Sequence, residues 1–192
     1  VFSLTGLRLG AAVGLLSLVA CAQAAVRDEV SYQFYDLSLR TGESVYQALS
    51  RSSPIRSEGK VFFGYTTWNV HWNYRWWREG DGQCRITENT VLVSSIIQLP
   101  QLRGDLGRLQ ERYERAFAAL KLHEQGHVDI GRSVAKEIDH FILSLPEKAS
   151  CAQLEQAANT GARDILAHSK GQDRDYDART GHGKTQGAWF DF

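Results

Sequence analysis

The sequence predicts an α+β domain, an antiparallel β-sheet packed on helices, and three observations predict it. Residues 61–77 alternate between apolar rings and polar groups. After Pro100 the apolar period changes from two to about 3.6. Every strand-like segment precedes the long helix-like ones, the order expected when sheet and helices are segregated. The 192 residues are 43% apolar, enough for a single core. Lys plus Arg and Asp plus Glu both number 22, so no global field favours nucleic acid or an anionic membrane.

The first element is of another kind. Arg8 precedes an apolar run, Leu9 to Ala20, and then Cys21-Ala22-Gln23-Ala24-Ala25. A basic residue, a short apolar segment and a small-x-small site describe a secretory signal peptide, residues 1–24, cleaved after Ala24. The run is too short to span a bilayer as a mature helix, so no transmembrane segment is expected in the mature chain. Leu18-Val19-Ala20-Cys21 also fits a lipobox, which would leave a lipid anchor at Cys21. Either reading places residues 26–192, a single domain, outside the cytoplasm, periplasmic or secreted. There the two remaining cysteines, Cys84 and Cys151, are expected to form a disulfide.

Val26 to Leu39 alternates loosely and reads as a first strand. Gly42 to Arg51 reads as a short helix carrying Val45, Ala48 and Leu49, closed by Ser52-Ser53-Pro54. In Val61 to Trp77, residues Phe62, Trp68, Val70, Trp72, Tyr74 and Trp76 share one parity and form a core layer. Thr67, Asn69, His71, Asn73 and Arg75 share the other. Glu79-Gly80-Asp81-Gly82 supplies a turn, and Arg85 to Leu99 is the return strand, stopped by Pro100. Leu102, Leu106, Leu109, Tyr113, Phe117 and Leu120, then Val134, Ile138, Phe141 and Leu145, step by three and four. They predict one long helix, or two in tandem, ended by Pro146. Ser150 to His168 is a further amphipathic helix. The glycines at 171, 181, 183 and 187 mark the tail as an ordered loop or a short terminal segment.

The chemistry lies in His123-Glu124-Gln125-Gly126-His127. Residues four apart on a helix lie about 40° apart around its axis, so His123 and His127 can direct two imidazoles at one zinc ion. Glu124 projects from a neighbouring direction and serves as general base towards zinc-bound water. The apolar stripe passes through this turn, and burying two imidazoles and a carboxylate without a metal or a polar network costs several kcal/mol, on the order of the penalty for unpaired polar groups. Gly126 costs about 1 kcal/mol of helix propensity, which a close approach of a neighbouring backbone would explain. Among the other histidines, His140 lies about 220° around the helix from His127 and faces away. His168 has no companion, and His71 is a solvated strand residue. His182, flanked by Gly181 and Gly183, is the chosen third ligand. Tyr176 is a candidate to stabilise the oxyanion, and Asp177 to hold the far nitrogen of a ligand imidazole. Asp173, Asp175 and Asp177 imitate a calcium loop, but the turn glycine is missing and Lys184 replaces the bidentate Glu.

These residues also resemble a family. Thr67-Trp68 to Trp72, Cys84, Leu99-Pro100, the His123–His127 motif, Cys151, Tyr176-Asp177-x-x-Thr180-x-His182-Gly183 and Gln186-Gly187 are similar to a bacterial family of unknown function described as predicted secreted zinc-dependent proteases. The resemblance implies zinc on His123, His127 and His182, with Glu124 as catalyst. The expected function is therefore a secreted or periplasmic zinc metallopeptidase acting on polypeptide. The rivals are a zinc amidase acting on cell-wall peptides and a non-catalytic envelope module with the aromatic strand as its binding face.

Overall fold

The structure is a computed structural model that describes residues 26–192; the expected signal peptide and the alternative lipobox at Cys21 lie outside the described residues. Five strands and three helices follow one another: β1 Val26–Leu37, α1 Val45–Ser52, β2 Arg56–Ser57, β3 Lys60–Val61, β4 Tyr65–Arg78, β5 Cys84–Leu102, α2 Gln110–Leu143 and α3 Cys151–Thr180. The expected α+β class holds, strands before long helices. Among the described residues no helix is long and apolar enough to cross a membrane.

The main sheet has the order β1-β5-β4. β4 and β5 form the predicted antiparallel hairpin, while β1 pairs in parallel with β5, so the sheet is mixed rather than wholly antiparallel. The most apolar strand takes the centre. Val91, Val93, Ile97 and Leu99 of β5 are completely buried, and a central strand has both edges paired. Pro100 does not stop β5, which runs on to Leu102. The β4 pairing ends at Tyr65 opposite Gln98. Beyond that point β5 has a free edge, where a residue without an N–H is tolerated. Leu102 and Leu106 consequently fall outside the helix, which begins only after a 3-10 turn at Gly107–Leu109.

The predicted parity of β4 holds as far as Tyr74: Trp68, Val70, Trp72 and Tyr74 turn inward while Thr67, Asn69, His71, Asn73 and Arg75 are exposed. Trp76, expected in the core layer, is exposed beyond an irregularity at Arg75/Trp76. The rings reach the helices. Trp72 Nε1 donates to Asn159 Oδ1 (3.0 Å) and Trp76 Nε1 to Glu155 Oε1 (2.9 Å), both on α3. α1 starts as a capping box, with Ser44 Oγ accepting from the Gln47 amide and the Gln47 side chain accepting from the Ser44 amide. Cys84 and Cys151 form the expected disulfide, tying the start of β5 to the start of α3.

α2 is one unbroken helix that joins two apolar clusters. Tyr113, Ala116, Leu120 and Val128 pack with Leu37, Leu49, Ile97, Leu99 and Phe190. Val134, Ala135, Ile138 and Ile142 pack with Val70, Val91, Val93, Ala158 and Ala162. Between them, one buried turn is polar, and it carries His123, Glu124 and His127. α3 runs past His168 and through Gly171, so the segment expected to be a loop is helix as far as Thr180. Gly181, in the left-handed region at φ 56°, closes it. That extension brings the residues after 172 against the polar turn of α2.

Candidate metal centre

Two helices and the short connection after the second build the site. On α2, His123 and His127 lie one turn apart on the face turned to α3, their rings 5.0 Å apart. On α3, Asp173, Tyr176, Asp177 and Thr180 follow the i, i+3, i+4, i+7 spacing of a single helix face, and all four reach the histidines. Asp177 Oδ1 lies 3.1 Å from His123 Nε2 and 3.2 Å from His127 Nε2. His182 Nδ1 approaches the same oxygen at 3.3 Å. The donor atoms of His123, His127 and Asp177 all lie within 4.8 Å of one another, a group of three able to hold a metal ion.

The opposite nitrogens are held from behind. His127 Nδ1 lies 2.9 Å from Asp173 Oδ1. His123 Nδ1 lies 3.1 Å from Gln186 Oε1 and 3.3 Å from Thr180 Oγ1. His127 therefore has carboxylate oxygens against both ring nitrogens, whereas a neutral imidazole has one proton. A second proton or a cation is needed between Nε2 and Asp177. Burial works against a charged His127 ring, but Asp173 and Asp177 outweigh it and push its pKa up to about 9. For Asp177, burial opposes ionisation, and the hydrogen bonds from His123 and His127 prevail, holding the carboxyl well below the usual range. Two imidazole nitrogens and a carboxylate oxygen aimed at one point are a donor set that suits a borderline ion such as zinc.

Glu124, the neighbour of His123 on the same turn, points towards the start of β4. Its carboxylate is buried, 3% exposed, and Thr66 Oγ1 at the start of β4 lies 2.8 Å from Oε2. Gly64 leaves the room: a Cβ there would sit 2.5 Å from Glu124 Oε1. Burial raises the Glu124 pKa, with the Thr66 hydrogen bond pulling the other way. A carboxylate so placed is a better proton acceptor than one in water.

The structure brings His123, Glu124, His127, Tyr176, Asp177 and His182 together and leaves His71, His140 and His168 exposed elsewhere. Two expected roles change. Asp177 does not stand behind an imidazole; because α3 continues unbroken, it meets both Nε2 atoms, and Asp173, one turn earlier, takes the place behind His127. Tyr176, the oxyanion candidate, uses its hydroxyl within the protein. Its ring stacks on His123 (5.0 Å, 9° between planes) and its hydroxyl donates to the His123 carbonyl at 3.2 Å. It also explains Gly126, since a Cβ there would overlap the Tyr176 hydroxyl. The close neighbour of Gly126 is thus a side chain, not a backbone. His182 is half exposed, its ring edge against Phe62 at 5.1 Å.

Asp173, Gln186, Thr66 and Thr180 are the residues that sequence reasoning misses. For Asp173 and Thr180 a signal exists, their helical spacing with Tyr176 and Asp177. Thr66 carries no local sign, because only the sheet sets it against α2.

The family model described as "Bacterial protein of unknown function (DUF922)" matches residues 32–183, a span that contains both cysteines, the α2 motif, Asp177 and His182. No curated protein and no solved structure matches the chain.

Proposed function

We propose that this chain, which belongs to the DUF922 family of bacterial proteins of unknown function, is an extracytoplasmic zinc-dependent hydrolase that cleaves peptide bonds. One observation carries the reading: His123 Nε2 and His127 Nε2 converge on Asp177 Oδ1 at 3.1 and 3.2 Å, on the same helical turn as a buried Glu124. His123, His127 and Asp177 are the residues that would hold the metal. A zinc ion there would supply a Lewis acid for a carbonyl oxygen and would lower the pKa of water.

The chain's own groups supply the rest. Glu124 accepts a proton from the attacking water and returns it to the leaving amine. Thr66 orients the carboxylate by donating to Oε2. Asp173 and Gln186 keep the imidazoles turned so that Nε2 faces inward. The Cys84–Cys151 disulfide supports an oxidising compartment.

The test compares wild type with E124Q after zinc loading. Zinc content is expected to be equal in both, with hydrolysis of unfolded polypeptide lost in the variant. Turnover confined to cell-wall peptide fragments would replace peptidase by amidase, and full activity in E124Q would overturn the hydrolytic reading.

A further inference from the structure

We propose that Asp173, His182 and Gln186 are the positioning residues of this centre, one against each donor residue, and that His182 is not itself a metal donor. The proposal rests on the reading that His123, His127 and Asp177 hold a metal ion.

Behind His123, a chain of donors fixes which nitrogen is free. The single proton of Tyr176 goes to the His123 carbonyl, 3.2 Å away. Its oxygen can then only accept, and Gln186 Nε2 donates to it at 3.2 Å. That turns Gln186 Oε1 to His123 Nδ1, 3.1 Å away, and the imidazole must donate there. Thr180 agrees: its hydroxyl donates to the Tyr176 carbonyl at 2.8 Å and is left to accept from Nδ1. His123 Nε2 is thereby the nitrogen turned to the centre. Behind His127, the Asp173 carboxylate does the same at 2.9 Å, and Trp68 Nε1 approaches the same Asp173 oxygen at 3.5 Å.

His182 meets Asp177 at Oδ1, the oxygen that also faces both α2 imidazoles. The group of mutually close donor atoms consists of His123, His127 and Asp177, without His182. Its Nδ1 faces the Asp177 carboxylate at 3.3 Å, and its side chain is 50% exposed. Residues 181–183 all have positive φ, at 56°, 53° and 81°, and for a histidine this is rare enough to mark a constraint. The glycines on either side hold the ring over Asp177, and the Nδ1–H steadies the carboxylate. All three positioning residues come from residues 173–186, so one short segment sets how well the α2 histidines bind metal. Gln186 lies past the family match, which ends at residue 183.

The experiment measures zinc affinity of the metal-free full chain by chelator competition, with cobalt(II) absorption reporting the donor set. D173N, H182A and Q186A are each expected to bind zinc about 10- to 100-fold more weakly, with the cobalt spectrum of wild type. D173E, which keeps the carboxylate, should recover most of the loss, and Q186E, which keeps the oxygen towards His123 but not the donor to Tyr176, should recover part of it, outcomes that a folding defect would not give. D177A should lose more than H182A and should change the spectrum. Wild-type affinity in both D173N and Q186A, or an H182A loss and spectrum equal to those of D177A, overturns the proposal alone. A wild type that binds no zinc overturns the metal reading with it.

Discussion

Thr66 Oγ1 stands 2.8 Å from Glu124 Oε2, so the first turn of an edge strand anchors the one buried carboxylate on the motif helix. T66V preserves shape and removes this donor. A hydrogen bond to a charged group contributes about 1.5–3 kcal/mol, so kcat on a peptide substrate should fall roughly 10- to 100-fold. Zinc content should not change. The pH at which activity rises should move upward, because the donor that lowers the Glu124 pKa is gone.

Gly126 is a notch for Tyr176. G126A improves helix propensity by about 1 kcal/mol but drives a methyl into the Tyr176 hydroxyl and pushes α3 off α2. Overpacking of this kind costs about 1–3 kcal/mol. Urea unfolding should show net destabilisation, and Y176F combined with G126A should recover little of it, because the added methyl also overlaps the ring carbons Cζ and Cε1.

Metal affinity should depend on pH through His127. In the metal-free protein its pKa is raised to about 9, burial opposing and Asp173 and Asp177 prevailing. Zinc must displace that proton, so affinity should climb from pH 6.5 to 9 and flatten above. The stability linkage has the opposite slope. A folded-state pKa above the unfolded value gives a contribution that is complete below about 6.5 and is lost as pH rises through about 9. Metal-free protein should therefore lose thermal stability over the interval in which zinc binding strengthens. Calorimetry across that range checks both.

What the sequence shows of this molecule is what short-range spacing encodes. His123, Glu124 and His127 are legible because four residues make about one helical turn. The parity of β4 is legible because a strand has period two. The continuation of α3 is not, since Lys170-Gly171-Gln172-Asp173-Arg174-Asp175 has the composition of a loop. Its helix is held by contacts with α2 from Asp173, Tyr176 and Asp177. Missing that continuation puts Asp177 in the place behind an imidazole that Asp173 takes. Pro100 misleads for a related reason: whether proline ends a strand depends on what pairs with its edge, and that is a property of the sheet.

The disulfide should act on stability more than on the centre. It joins residues 67 apart, and closing a loop of that length contributes about 4 kcal/mol on the chain-entropy model. C84S/C151S should unfold at lower urea concentration by a corresponding amount. Zinc affinity should change little, because the bond secures the start of α3 while Asp173 to Thr180 lie at its other end.

Direct titration of metal-free wild-type protein with zinc, followed by calorimetry beside H123A/H127A, tests the account at its centre. One ion bound per chain in the wild type, and none bound tightly in the double variant, is the predicted result. Equal binding by both proteins, or no binding by the wild type, would contradict it.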